Sequence, residues 1–320
     1  MKFRLGIVGL CTSHPGNWIP AIRTLNEEGF CEIEITAIWD SGETRPKNYA
    51  SEFAAQMQMS KDLIVDSLDT MLPRVDGVII HTANWDRHLE QAEPFILAGK
   101  SVLLDKPVIG NCKDAAKIAD WLKQGYRITG GSSLRYCHEV SELLAFPENE
   151  RGKIHTVYSA IGSDEFNYGI HGYSLICGLL GPGARSAQYL EGAQYKQIML
   201  CWKNGQTAFL TLAGPAGLPF SAVAVTTRKV FHFQVDNSRI YRSMLKAELP
   251  YLTGLQNNPP QTPSAFLEPE LLALAARESW QTGGRRIFLS DLYLNNSGYD
   301  GYAFANEYRR NRMKKLKNNK

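Results

Sequence analysis

The chain has 320 residues, of which 44% are hydrophobic and 21% are charged, so it can bury sizeable cores. A chain of this length is expected to form about two domains. The net charge of +3 is too small to indicate a nucleic-acid partner. No apolar run reaches the roughly 18–20 residues that a membrane span needs, so no membrane partner is expected.

The six cysteines are scattered along the sequence, and no two of them form a Cys-x-x-Cys pair. This pattern favours neither a disulfide framework nor a zinc site, and it is typical of a reduced compartment. We therefore expect a cytoplasmic protein.

Short β-branched runs alternate with helically spaced stretches through about the first 130 residues. The predicted strands are Phe3–Val8, Ile33–Trp39, Gly77–His81, Ser101–Leu104 and Tyr126–Thr129. The predicted helices are Trp18–Glu28, Pro46–Gln56, Asp86–Ala98 and Lys113–Lys123. Alternation at this pitch indicates βαβ units and a parallel sheet that is covered on both faces.

After about Arg135 the pattern changes to neighbouring strands with few helices between them, which predicts an antiparallel or mixed sheet. The predicted strands are Ile154–Ile161, Lys196–Trp202, Thr207–Leu212, Phe220–Thr226 and Lys229–Gln234. The predicted helices are His138–Leu144, Tyr173–Leu180 and Glu268–Gln281. The segment Tyr251–Ser264 is predicted to be a loop, and the basic tail that includes Arg312 is interpreted as a solvated terminus.

The first predicted strand leads into Gly9, and the next five residues are Leu-Cys-Thr-Ser-His. A glycine turn before a helix can present backbone N–H groups to a pyrophosphate. The dinucleotide fingerprint Gly-x-Gly-x-x-Gly is met here only at Gly9, because Cys11 and His14 replace the second and third glycines. We expect Thr12 and Ser13 either to donate hydroxyls to a phosphate or to cap the helix.

Asp40 ends the second predicted strand, where a carboxylate can bind the ribose hydroxyls of an adenosine and favour NAD over NADP. Arg45 lies close by in the sequence and would favour NADP instead, so the predicted preference for NAD over NADP is modest. His81 and His88 are seven residues apart with no acidic ligand at helical spacing, so no metal site is predicted.

Two later segments, together with Gly169-Ile170-His171, carry a family pattern. One has Thr82-Ala83-Asn84 followed by His88, and the other is Ala98-Gly99-Lys100 leading to Asp105-Lys106-Pro107. They resemble the Thr-Pro-Asn-x-x-His and Ala-Gly-Lys-x-Val-x-x-Glu-Lys-Pro motifs of the glucose–fructose oxidoreductase, inositol dehydrogenase and rhizopine-catabolism (Gfo/Idh/MocA) family. The chain resembles an atypical branch of that family, with Cys-Thr-Ser-His in its glycine loop.

The resemblance implies a Rossmann domain over residues 1–132 and an α+β substrate and dimerisation domain, with an open and mostly antiparallel sheet, over 133–320. It implies NAD, or else NADP, as cofactor and a homo-oligomer, dimeric or tetrameric. It also implies that Lys106 and His171 flank a reacting hydroxyl, that His171 is the acid/base, and that Asn167 orients the substrate. The implied cofactor contacts are Gly9, Thr12, Ser13, His14, Asp40, Thr82, Asn84, His88 and Asp105, and the implied substrate contacts are Arg135 and Tyr168.

The main departure from the family is Asn167, which stands where the Asp-x-x-x-His motif has its carboxylate. An amide cannot stabilise an imidazolium as a carboxylate does, so His171 lacks that partner unless Asp164 or Glu165 takes its place. The leading hypothesis is an NAD(P)-dependent oxidoreductase that acts on the CH–OH group of a sugar or cyclitol. Two alternatives stay open: a keto-sugar lyase or hydratase on the same fold, and a non-catalytic relative that binds nucleotides or sugars.

Overall fold

The computed structural model describes residues 2–46, 48–191 and 194–318, without the side chains of 315–318. The strands are β1 Phe3–Val8, β2 Ile33–Trp39, β3 Gly77–Ile80, β4 Ser101–Asp105, β5 Ile128–Gly131, β6 Ile154–Gly162, β7 Ala184–Leu190, β8 Lys196–Trp202, β9 Thr207–Gly214, β10 Ser221–Thr226, β11 Val230–Gln234 and β12 Ile287–Phe288. The helices are α1 His14–Glu27, α2 Tyr49–Gln56, α3 Leu68–Met71, α4 His88–Leu97, α5 Cys112–Lys123, α6 His138–Ala145, α7 Glu148–Arg151, α8 Gly169–Leu180, α9 Ile240–Leu252, α10 Pro263–Phe266, α11 Glu268–Gln281 and α12 Gly301–Asn318.

The first five strands form one parallel sheet in the order β2-β1-β3-β4-β5. Every residue of β3 and β4 is buried, which explains why these segments are almost continuously apolar and do not alternate. This is the parallel Rossmann sheet that the sequence predicts, so that prediction is confirmed.

The remaining strands form a seven-stranded sheet in the order β11-β10-β6-β9-β8-β7-β12. The β6–β9 pair is parallel and the other pairs are antiparallel. Strands β9 and β10 alternate between buried and half-buried residues, so one face is covered and the other is open. The mixed, mostly antiparallel sheet is confirmed as well.

The segment Tyr251–Ser264 is not wholly a loop, because α9 ends at Leu252 and α10 begins at Pro263. Helix α9 belongs to the second half of the sequence but packs against α1, β4 and β5 of the first sheet. Its residues Met244, Leu245, Leu249 and Leu252 share an apolar cluster with β1. The two halves therefore meet in a common core.

The basic C-terminal segment forms helix α12 as far as Asn318, so the terminus is helical and not frayed, although Arg309, Arg310 and Lys314 are exposed, as expected for a solvated segment. None of the helices in the described ranges is long and apolar enough to cross a membrane. All six cysteines are free thiols, in line with the expectation of a chain without disulfides.

Candidate active site

A cleft of about 640 Å³ lies between the carboxyl edge of the parallel sheet and the second sheet. Its wall is formed by the loop after β1, the residue after β4, the first turns of α8 and α9, and α12. Open α/β sheets bind ligands at this edge, where the carboxyl ends of the strands meet. The predicted site residues that line the cleft are Thr12, Ser13, His14, Lys106, Asn167, Tyr168 and His171.

The loop after β1 turns at Gly9, whose φ of +86° lies in the region that favours glycine. A Cβ at this position would also lie 2.9 Å from the backbone nitrogen of Thr82. The Cys11 side chain is fully buried and faces away from the cleft, whereas His14 enters the cleft. At the two positions where the fingerprint has glycine, this chain therefore has the packed thiol of Cys11 and the imidazole of His14, which lies in the cleft.

The His14 ring is held by Asp105, because its Nδ1 lies 2.5 Å from Oδ2 of that carboxyl. Nδ1 of His81, which follows β3, lies 2.9 Å from the same oxygen. Burial opposes ionisation of Asp105, but its interaction with His14 and the hydrogen bond with His81 outweigh burial and hold the pKa of the carboxyl well below its usual range. The strand order β1-β3-β4 thus brings three residues that are far apart in sequence to one point.

Lys106 lies beside Asn167, and both side chains line the cleft. Its Nζ donates to the backbone oxygen of Asn167 at 2.8 Å and to Oδ1 of that residue at 3.0 Å. Burial lowers the pKa of Lys106, although the charges of Asp105 and Asp164 oppose that change. The ammonium also lies 5.6 Å from the ring centroid of Tyr168, whose side chain is partly exposed at the cleft.

His171 stands in the first turn of α8, where Gly172 allows the helix to pack closely on the sheet. A Cβ on Gly172 would lie 2.6 Å from a side-chain carbon of Ile161 in β6. Nδ1 of His171 lies 2.7 Å from Oγ of Ser132, just after β5. Burial and then the charge of Lys106 hold the pKa of His171 well below its usual range, so the ring is neutral near pH 7.

The sequence offers Asp164 and Glu165 as possible carboxylate partners of His171. Among the described residues, neither of them forms a hydrogen bond with His171. Oδ1 of Asp164 accepts from the backbone N–H groups of Phe166 and Tyr168. The Glu165 carboxylate pairs with Lys196. The imidazole of His171 therefore has a hydroxyl as its partner and no carboxylate.

Three predicted cofactor residues are buried behind the loop and do not line the cleft. Oγ1 of Thr82 donates to Gln91 at 2.6 Å, and the amide of Asn84 donates to Glu43 at 2.9 Å. The His88 ring lies between the carbonyl oxygens of Thr82 and Val108. These contacts fix the segment against which Gly9 turns, and direct contact with a cofactor stays a prediction for all three.

The Asp40 carboxylate accepts hydrogen bonds from the backbone N–H groups of Leu10 at 2.6 Å and Gly42 at 3.0 Å. Arg45 donates to the carbonyl of Leu10 at 3.1 Å, and Arg312 of α12 donates to the carbonyl of Cys11 at 2.5 Å. Burial, and then the nearby charge of Arg312, lower the pKa of Arg45. The end of β2 therefore carries one carboxylate and two guanidinium groups.

The second predicted substrate contact, Arg135, is buried and does not line the cleft. Its Nη1 donates to the carbonyl of Ala265 at 3.1 Å. Contact with a substrate stays a prediction for Arg135, whose position is that of a packing residue.

The residues present fit a dinucleotide. The turn at Gly9 brings Thr12, Ser13 and the start of α1 to the cleft wall, and the positive end of a helix dipole there suits a pyrophosphate. Asp40 lies just after β2, where a ribose is expected, and is bonded to the loop after β1, whereas Lys106 and His171 line the cleft itself. The chain thus offers a phosphate end and a reacting end within one cleft.

The fold agrees with known oxidoreductases. Residues 3–129 match the family model described as an oxidoreductase family with an NAD-binding Rossmann fold. A comparison with curated proteins found no match.

Several solved structures share the whole architecture at low sequence identity. A probable dehydrogenase from Thermotoga maritima is 15% identical, with a TM-score of 0.75 over 91% of this chain and 100% of that one. The apo scyllo-inositol dehydrogenase from Lactobacillus casei is 14% identical, with a TM-score of 0.70 over 90% and 98%. GenD2 from gentamicin A biosynthesis, solved in complex with NAD, is 16% identical, with a TM-score of 0.69 over 90% and 96%. At such identities the likeness shows the fold alone.

Sequence reasoning missed Ser132, Tyr241, Phe304 and Tyr308 as parts of the site. Ser132 follows β5, so the rule that parallel strands end at one edge would have found it. Tyr241 lies on α9 and the other two on α12, and neither helix was predicted. The ligand atoms of His14, His81 and Asp105 lie within 4.8 Å of one another, and the absence of a metal site stays a prediction.

Proposed function

We infer, from the match of residues 3–129 to the Gfo/Idh/MocA oxidoreductase family model, that this chain is an NAD(P)-dependent oxidoreductase acting on a CH–OH group. The proposed substrate is a sugar, a cyclitol or a related hydroxyl or ketone. The observation that carries the proposal is that Lys106 and His171 line the same cleft as the loop residues Thr12 and Ser13.

A bound nicotinamide would supply the hydride chemistry, and the protein positions the reacting groups. Oxidation of an alcohol places developing negative charge on oxygen as the hydroxyl proton leaves. The Lys106 ammonium can stabilise that charge, since burial strengthens its electrostatic effect and Asn167 fixes its direction. In this arrangement Asn167 positions the lysine, and its predicted role in orienting the substrate remains part of the proposal.

His171 is proposed to contact the reacting oxygen from the opposite side of Lys106. Its Nδ1 is bonded to Ser132, so only Nε2 is available to a substrate. A neutral imidazole can accept a proton or donate a hydrogen bond, but without a carboxylate partner it stabilises an imidazolium poorly. Tyr168, partly exposed beside Lys106, is proposed as a substrate contact.

For the cofactor we propose NAD, with Thr12, Ser13 and the start of α1 at the pyrophosphate. Asp40 would accept hydrogen bonds from a ribose and repel a 2′-phosphate. The nearby Arg45 and Arg312 act in the opposite direction, so binding of NADP is expected to be weaker than that of NAD but measurable.

The test is calorimetry of the purified chain with NAD and with NADP, followed by a panel of sugars and cyclitols monitored through the absorbance of reduced nicotinamide. Lys106→Gln should lower turnover by about 10²- to 10⁴-fold while nucleotide affinity is retained. Lys153→Gln, a matched change at an exposed position outside the cleft, should leave both unchanged.

Three outcomes separate the candidate functions. Stoichiometric formation of reduced nicotinamide supports the oxidoreductase. Substrate conversion with bound nucleotide and no net reduction indicates the lyase or hydratase. Failure of the wild-type chain to bind either nucleotide indicates the non-catalytic relative and contradicts the proposal.

We also propose that the protein is a cytoplasmic homo-oligomer that pairs through the open face of the second sheet. On this face Tyr158 is 47% exposed, although its ring stacks on Phe209 at 5.3 Å. Phe209 is half-buried, and an exposed aromatic ring beside it on an uncovered sheet face is the kind of apolar surface that an interface covers. Light scattering should show a dimer or tetramer, and the Tyr158→Lys substitution should shift the oligomeric state towards the monomer.

A further inference from the structure

The cleft contains a second imidazole, that of His14, whose chemistry the proposed function does not use. It stands in the position that the dinucleotide fingerprint gives to a glycine, and a glycine would leave this space empty. The ring is held in place from several sides. It is parallel to Trp18 at a centroid distance of 6.1 Å, contacts Tyr241 of α9 at 5.4 Å, and is bonded to Asp105 at 2.5 Å.

The hydrogen-bond pattern fixes which nitrogen of each ring carries a proton. An ionised carboxylate only accepts, so Nδ1 of both His14 and His81 must donate to Asp105. Nε2 of His81 is fully buried without a partner, and burial lowers the pKa of that ring, so His81 is neutral. Nε2 of His14 has no hydrogen-bonding partner among the described residues, and His14 lines the cleft. It is the nitrogen of this cluster that a ligand can reach.

A carboxylate behind an imidazole orients the ring and stabilises the imidazolium that forms when Nε2 takes a proton. His171 has no such carboxylate, because residue 167 is an asparagine that bonds to Lys106. Within the described part of the cleft, the imidazole with a carboxylate partner is His14. The other groups that titrate or carry charge and face it are His81, Tyr241, Lys106 and His171.

We propose that His14, held by Asp105, is the acid/base of this site. The inference rests on the proposed oxidoreductase function. In the oxidation, the substrate O–H bond breaks and its proton goes to Nε2 of His14. The adjacent C–H bond breaks with transfer of hydride to the oxidised nicotinamide, and a carbonyl forms. The imidazolium then returns its proton to water through the cleft, and Asp105 stays ionised throughout.

The same three residues could instead hold a divalent cation, since their ligand atoms lie within 4.8 Å of one another. The contacts favour a hydrogen-bonded cluster. Both Nδ1 atoms lie at hydrogen-bond distance from a single oxygen, whereas ligands of a cation converge on a point between them. A bound metal is therefore an outcome that overturns the proposal.

The first experiment needs no substrate. Nuclear magnetic resonance of the nucleotide-free protein with nitrogen-labelled histidine should show two strongly downfield imidazole N–H protons. His14→Gln should remove one of them, and Asp105→Asn should shift both. Metal analysis of the same sample should find no stoichiometric zinc. A co-purifying metal whose removal by a chelator creates those protons would contradict the proposal.

The second experiment follows turnover and nucleotide binding in parallel. His14→Gln should lower kcat/KM by about 10²- to 10⁴-fold and remove the ionisation that limits activity at low pH. His155→Gln, the same change at an exposed position of β6, should change neither kcat/KM nor this ionisation.

The variants also separate the proposals from each other. Loss of that ionisation in His171→Gln but not in His14→Gln would assign the role to His171 and overturn the inference. If the wild-type chain binds no nucleotide, the proposed function is wrong, and the role of His14 as acid/base is wrong with it. If the wild-type chain binds nucleotide and His14→Gln keeps the wild-type kcat/KM, the inference about His14 is wrong but the proposed function is not.

Discussion

Glu248→Gln replaces a fully buried carboxyl in α9 with a neutral side chain of the same shape. One oxygen of Glu248 accepts from the hydroxyl of Thr129 in β5, and the other has no partner among the described residues. Burial raises the pKa of this carboxyl to about 7 from its ordinary 4.5, although the hydrogen bond from Thr129 opposes the change. The folded protein therefore keeps this proton to a higher pH than the unfolded chain does.

The sign of the effect follows from that difference. Below about pH 4.5 the carboxyl is protonated in both states and its titration does not alter stability. As the pH rises towards 7 the unfolded chain ionises first, so the free energy of unfolding falls. A difference of about 2.5 pKa units corresponds to about 3 kcal/mol, which the wild-type protein loses by pH 8 and the variant keeps.

The assay is urea denaturation at about pH 5 and about pH 8 for the wild type and the variant. Because the unfolded carboxyl is already mostly ionised at pH 5, the stability difference between them should grow by about 2.5 kcal/mol in favour of Glu248→Gln from the lower to the higher pH. Glu270 is also buried, with its pKa raised to about 7 by burial, so a separate Glu270→Gln variant should show the same growing difference from the wild type. Glu34→Gln, on the exposed side of β2, should not change the profile. Parallel profiles for wild type and Glu248→Gln would refute the reasoning.

Three further changes probe the nucleotide end of the cleft. Gly9→Ala should destabilise the fold by at least about 1 kcal/mol in thermal unfolding, and more than Gly29→Ala, because both have positive φ but only Gly9 meets Thr82. Asp40→Asn should lower the ratio of NAD to NADP affinity in calorimetry, since it removes the charge that repels a 2′-phosphate. Arg312→Ala should speed amide hydrogen exchange in the second half of α12, because it releases that helix from the loop after β1.

Helix α11 is predicted to the residue, and the five parallel strands to within two residues at either end, because their apolar pattern is both local and strong. Helix α9 was missed, although its buried residues recur at helical spacing. Pro250 lies inside it, and a proline in an amphipathic stretch predicts a helix end. Helix α12 was missed because its many charges indicate a solvated segment, whereas Phe304 packs beside Trp85 and Arg312 donates to the carbonyl of Cys11.

The site could be predicted only in part from the sequence, because its contacts join residues that lie far apart along the chain. The family pattern assigned Lys106 and His171, and the structure places both in one cleft. The bond from Lys106 to Asn167 spans 61 residues, and the bond from His14 to Asp105 spans 91. Such separations carry no local signal. Strand order supplies the missing information, since β3 lies between β1 and β4 and places His81 beside the other two residues.

The three pairs in the cleft divide the chemistry between them. Lys106 with Asn167 holds a positive charge, His14 with Asp105 forms a couple that can take up a proton, and His171 with Ser132 is neutral. Residue 167 is an asparagine where the Asp-x-x-x-His motif has its carboxylate, yet a carboxylate–imidazole couple is present in the same cleft. Under the proposed function, the histidine that departs from the glycine fingerprint supplies the couple that His171 lacks, so the proton acceptor lies at the start of α1 and not on α8.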